Sequence, residues 1–180
     1  MSETHEPGET FVVKPGNATS YWQPVPANGH IEVALDPSKV KMDNPLAFGT
    51  QTVPPGGYVR EHSHDRHEEV IYFLSGKGRA VLDGEEIPAV PGTAIFIGKS
   101  RRHMFINDGT EDLHWCWLIV PNGLEDFFRL IGRPRQAGDP APANFPRPEN
   151  VLEIERQTVF AAQPKDQRKP DFDKAKPAKD

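Results

Sequence analysis

The chain has 180 residues, enough for one domain with a sizeable core. Its hydrophobic share of 36%, with 19 prolines and 15 glycines, favours short elements and many turns over long helices. A net charge of −5 without a dense basic stripe argues against a nucleic-acid partner. Cys116 is the single cysteine, which excludes a disulfide framework and suits a reducing compartment. The opening MSETHEPGET lacks the apolar run of a signal peptide, and no stretch approaches the ~18 apolar residues of a membrane helix. A cytoplasmic protein with a small-molecule partner and no membrane partner is the expectation.

Residues 1–9 read as a disordered lead, and 10–121 as a β-barrel. Short strands are expected near Phe11–Val13, Ser20–Gln23 and Ile31–Leu35, interrupted by Pro15, Gly16, Pro24, Pro26 and Gly29. Eight more follow: Leu46–Val53, Gly57–His64, Glu69–Leu74, Arg79–Leu82, Glu85–Val90, Thr93–Ile97, His103–Asn107 and Leu113–Val120. All are rich in Val, Ile, Phe, Trp or Thr and are separated by turn residues. Asp83-Gly84 is a two-residue hairpin signal. The pattern changes at 122–162, which read as short C-terminal helices and a proline strap packed on the barrel. Asn122 is the expected cap of a helix whose Leu124, Phe127, Phe128 and Ile131 share one face, ended by Gly132. Residues 139–148 form the strap, and Asn150 with Glu153 starts a second helix running to about Phe160. Residues 163–180 read as a disordered charged tail.

One stretch, HSHDRHEE at 62–69, places three histidines within six positions. His62 and His64 stand two apart on a predicted strand, so their side chains leave one face with Cα atoms about 6.6 Å apart. A turn at Asp65–Arg66 returns Glu69 beside them. Two imidazoles and a carboxylate suit a divalent metal, and His103 is the candidate fourth ligand. A solvated polar loop is the ordinary alternative for such a cluster. Its position between two apolar strands, rather than in a linker, argues for the metal.

The spacing around this stretch resembles the first motif of the cupin superfamily: Gly56, five residues, His62-Ser63-His64, four residues, Glu69, six residues, Gly76. The second motif is similar at its ends, Gly84 and then His103, three residues, Asn107. It departs in its middle, with Gly98 where proline is usual and Ser100 where glycine is usual. The resemblance spans roughly residues 46–120. It implies an all-β, double-stranded β-helix or jelly-roll barrel with short C-terminal helices. It also implies one divalent metal ion held by His62, His64, Glu69 and His103. Glu68 replaces Glu69 if the hairpin is one residue shorter, and His67 does so if the site is all histidine. Iron is the first expectation; manganese, nickel, zinc, cobalt and copper also suit the donor set. The tail is similar to that of small bacterial cupins, including quercetin-dioxygenase-like ones, and many single-domain cupins are homodimers.

Strand alternation supplies candidate substrate contacts. If His62 and His64 face inward, so do Arg60 and Tyr58. Arg60 either clamps an anionic group or pairs with an acidic neighbour near a barrel end. Phe105 shares the face of His103 as a wall residue, while Asn107 ties a turn. In LHWCWLIV either Trp115, Trp117 and Ile119 face in, or His114, Cys116 and Leu118 do. Inward tryptophans suit an aromatic or apolar substrate, and packing under the C-terminal helix is the other use for them. The reactions open to such a site are three. The first is an iron dioxygenase acting on a small aromatic or enolisable substrate, with Glu69 as ligand and proton acceptor. The second is a non-redox lyase, isomerase or decarboxylase of a small hydroxy, keto or sugar acid. The third is a metal-bearing binding or sensor module without turnover.

Overall fold

Turn residues separate the strands in the predicted order, and a computed structural model describes residues 7–163 and 165–172. In chain order the strands are β1 (Thr19–Trp22), β2 (His30–Leu35), β3 (Ala47–Val53), β4 (Tyr58–His62) and β5 (Glu68–Ser75). Then come β6 (Gly78–Leu82), β7 (Glu85–Ala89), β8 (Ala94–Ile97), β9 (His103–Ile106) and β10 (Leu113–Val120). Helix α1 (Leu124–Ile131), strand β11 (Arg133–Arg135) and helix α2 (Val151–Gln157) complete the set. Two antiparallel sheets face each other as a jelly-roll barrel. One has the order β11-β1-β2-β3-β10-β5-β8 and the other β4-β9-β6-β7. The expected all-β class is therefore the observed one. No helix among the described residues is long and apolar enough to cross a membrane.

Period-two alternation decides what enters the barrel. On β5 Glu69, Ile71 and Phe73 are buried, while Val70, Tyr72 and Leu74 face out. On β10 the inward set is Leu113, Trp115, Trp117 and Ile119, which leaves His114, Cys116 and Leu118 on the outer side. The β6–β7 hairpin turns at Asp83 and Gly84, both at positive φ (47° and 94°), as a two-residue turn of the primed type requires. Helix α1 lays Leu124, Phe127, Phe128 and Ile131 on the barrel, and Phe128 packs on Trp117 at 5.7 Å between centroids.

Several local expectations are corrected. Phe11–Val13 forms no strand, and both Phe11 and Val12 are exposed with no apolar face to cover. Arg133–Arg135 forms the edge strand β11 on β1 despite its proline, which edge strands tolerate. Asn122 does not cap α1. The N-cap is Gly123, whose N–H donates to Glu125, and the Asn122 amide also donates to Glu125. Asn150 is the N-cap of α2 without a side-chain bond, and that helix ends at Gln157 rather than near Phe160. The tail is corrected in part. Residues 165–172 lie against the four-stranded sheet, where the Gln167 amide and the Arg168 N–H donate to Glu61 and Phe172 meets the Tyr58 ring. The lead before residue 7 and the tail beyond 172 lie outside the described residues.

Candidate metal centre

Three strand ends and one loop build the site. His62 closes β4 directly opposite His103, the first residue of β9. Glu69 is the second residue of β5. His64 lies just past the end of β4, not within it, and its loop is fixed by backbone bonds. Ser100 N–H donates to His64 C=O at 2.7 Å, and Ala161 N–H donates to Ser63 C=O at 2.9 Å. Ser100 accomplishes this at φ 62°, a left-handed conformation that glycine adopts more cheaply. That explains why glycine is usual there and shows that serine still makes the turn.

The four candidate ligand atoms of His62, His64, Glu69 and His103 all lie within 4.8 Å of one another, and all four residues are buried. Each imidazole is aimed by a backbone carbonyl. Nδ1 of His62, His64 and His103 sits 2.7, 3.0 and 3.0 Å from the carbonyls of Arg60, Val159 and Arg101. Donation from Nδ1–H fixes the tautomer and turns the Nε2 lone pair inward, as metal-bound histidines require. His64 Nε2, His103 Nε2 and Glu69 Oε2 are buried without a hydrogen-bond partner. Three donor atoms orphaned at one point fit a cation that accepts from all of them.

Electrostatics agrees. Burial, and then the neighbouring His103 and His64, push His62 well below its ordinary pKa, so its ring is neutral and free to donate. Burial alone pushes the Glu69 carboxyl up. The imidazoles of His103 and His64, at 3.2 and 3.6 Å, outweigh it and hold the group well below the usual carboxylate range. A metal ion held at the same point would also favour the ionised carboxylate.

The alternative ligands are not in the cluster. Glu68 is exposed on the outer face of β5. His67 is buried, but its ring centroid stands 6.3 Å from that of His64 and it does not join the four converging atoms. Glu69→Gln should therefore weaken metal binding at least about tenfold, and Glu68→Gln should leave it within about twofold. A competition titration against a chelator measures both.

The open side of the cluster faces a cavity of about 70 Å3, lined by His62 and Glu69 together with Phe105, Trp115, Phe127 and Phe160. Phe105 packs edge to face on Phe73, and Trp115 packs tilted against both rings. Trp117 does not line it and serves α1 instead. Tyr58 corrects the simple alternation rule. A bulge between Val59 and His62 gives β4 one residue more than β9 opposite it. Val59 consequently joins the barrel core, and Tyr58 packs outside with Val81, Met104, Ile106 and Phe172, although it still touches the cavity rim. Arg60 lines the cavity and is ion-paired to Glu155 of α2. Asn107 ties the turn after β9: its amide donates to the Val53 and Glu111 carbonyls. Phe160, Arg147 and the hydrogen-bonded pair Gln23–Gln51 also line the cavity. Sequence reasoning missed them. Arg147 and Phe160 come from a strap and a helix exit with no periodic signal, and only Gln51, placed on β3 by parity, was within reach.

Acid should weaken the fold through half-buried His30 and buried His62. Burial, and then Arg135, lower the His30 pKa from 6.5 to about 4, and His62 is displaced in the same direction. Below pH 6.5 the unfolded chain takes up protons that the folded chain refuses, so stability is fully present above 6.5 and is lost as pH falls toward 4. Chemical denaturation of metal-free protein at several pH values should show this slope, and His30→Gln should flatten it.

Comparison with known proteins points the same way. A cupin domain model matches residues 49–120. The chain is 31% identical over 93 residues to an oxalate-binding protein of Thermotoga maritima, covering 51% of this chain and 77% of that one. It is also 31% identical over 81 residues to the quercetin 2,3-dioxygenase of Bacillus subtilis, covering 45% of this chain but only 24% of the enzyme. Among solved structures, a predicted oxalate decarboxylase from Thermotoga maritima superposes with a TM-score of 0.54 at 25% identity, over 62% of this chain and 99% of the other. The polyketide cyclase RemF from Streptomyces resistomycificus gives 0.55 at 22% identity, over 62% and 80%, a likeness of fold alone.

Proposed function

The chain belongs to the cupin superfamily, and on that footing we propose that it is an iron(II)-dependent dioxygenase acting on a small aromatic or enolisable substrate. The observation that carries this reading is the direction in which the ligand cluster opens. His62 and Glu69 border a cavity to whose wall Phe105, Trp115, Phe127 and Phe160 contribute aromatic surface. Bound iron would supply open coordination positions and one-electron chemistry between substrate and dioxygen.

The chain's own residues do the rest. Phe105 and Trp115 offer flat apolar surface that orients a planar substrate. Phe160, whose ring is 5.2 Å from that of His62 and 5.1 Å from that of His64, shields the cluster from water. Glu69 borders the cavity, so a carboxylate oxygen is within reach of an enol or phenol proton. The cavity is smaller than the ~150 Å3 of an apolar cavity that admits benzene, so a ring-bearing substrate requires Phe160 or α1 to yield. Iron-loaded protein offered small enols and catechols should consume oxygen in step with substrate. Turnover that proceeds unchanged without oxygen would contradict the reading.

Non-redox chemistry on a small acid is a second reading, favoured by the likeness to an oxalate-binding protein and by the guanidinium of Arg60 on the cavity wall. There the metal would polarise a carbonyl or hydroxyl, and oxygen would be irrelevant.

A further inference from the structure

Two guanidinium groups border the cavity, and they come from distant parts of the chain. Arg60 lies at the bulge in β4 and Arg147 in the proline strap. Both donate through Nη2 to one oxygen, Oε1 of Glu155, the Arg147 bond being 2.5 Å. Glu155 is only 2% exposed and does not border the cavity, so its carboxylate stands behind the two arginines. One negative charge thus meets two positive ones. Among the described residues neither arginine has a second acidic partner, and Arg60 adds only a 3.4 Å bond to the Gln167 amide oxygen. Burial pulls Arg147 below the usual guanidinium value and the charge of Arg60 adds to this, against the hydrogen bond to Glu155. An excess of positive charge in a partly buried place is relieved when an anion completes it.

We infer that Arg60 and Arg147, held from behind by Glu155, form an anion seat that takes the carboxylate of a small organic acid whose other end faces His62 and Glu69. The inference deepens the functional reading and rests on the cavity being the substrate site. A planar guanidinium fork matches a planar carboxylate. The small volume and aromatic walls favour that group over a bulkier, doubly charged phosphate. Glu155 is a positioning residue here, since it touches the arginines and not the cavity.

The test is calorimetric titration of the full chain with acetate, oxalate and benzoate beside acetamide, oxamide and benzamide. At least one acid should bind about tenfold or more tightly than its amide. Arg147→Met should remove that preference and Arg147→Lys should keep part of it, with melting curves confirming folded protein. If Arg147→Met does not fold, Arg147→Gln takes its place and is read in the same way. Equal binding of acids and amides, binding of neither, or an undiminished preference in Arg147→Met overturns the inference; the last would place the acid on the metal alone. Oxygen consumption does not enter this test. An acid preference in a protein that consumes no oxygen would keep the seat and remove the dioxygenase, and the opposite pair of results would do the reverse.

Discussion

His103→Ala should fold and lose most of its metal. His103 is fully buried, its Nδ1 is engaged by the Arg101 carbonyl, and its Nε2 has no partner except the shared ligand point. Loss of a group that merely orients a ligand costs about 10–100-fold in metal affinity, and loss of the ligand itself should cost at least the upper figure. The barrel should survive, because β9 remains paired through its backbone to both β4 and β6. Truncating one buried side chain there should cost the metal-free protein about 1–3 kcal/mol. Metal titration followed by thermal melting of the same sample checks both halves. Full occupancy in the variant would remove His103 from the site.

Trp117→Ala should produce the largest loss of stability, about 3–5 kcal/mol. The indole is 1% exposed, stacks on Phe128 and reaches across β3 toward Gly49. A Cβ at position 49 would stand 2.6 Å from that ring and 2.0 Å from the Glu32 carbonyl, so the glycine is required by the close approach of β2 and the tryptophan. Removing the indole leaves a cavity between the large sheet and α1. Because Phe127 and Phe128 of α1 also line the cavity beside His62 and Glu69, its closure should loosen as well. Equilibrium denaturation measures the loss. A change under about 1 kcal/mol would show that α1 collapses onto the gap.

What was legible in the sequence follows from periodicity. Ten of the predicted strands appear because apolar alternation and turn residues are local signals, and the six-residue spacing from Glu69 to Gly76 singles out Glu69 over Glu68. The four-residue set His62, His64, Glu69 and His103 was reached the same way, from spacing within a hairpin and a motif resemblance. Parity failed where the backbone breaks its own period. The bulge at Arg60 and Glu61 sends Tyr58 outside and Val59 inside, and nothing in YVREH announces it. The closing wall was illegible for a different reason. Val159, Phe160, Glu155 and Arg147 meet β4 and its following loop across nearly a hundred positions of sequence. Such pairing is selected by packing after the barrel exists, so no local pattern encodes it. The tail contacts of Gln167, Arg168 and Phe172 are of the same kind.

Elemental metal analysis of the native chain, beside a His62→Ala/His64→Ala double variant prepared identically, tests the central claim most directly. The site described above predicts close to one divalent metal ion per native chain, iron on the reading proposed, and almost none in the variant. Equal metal in both samples, or none in the native chain even after reconstitution, would contradict it.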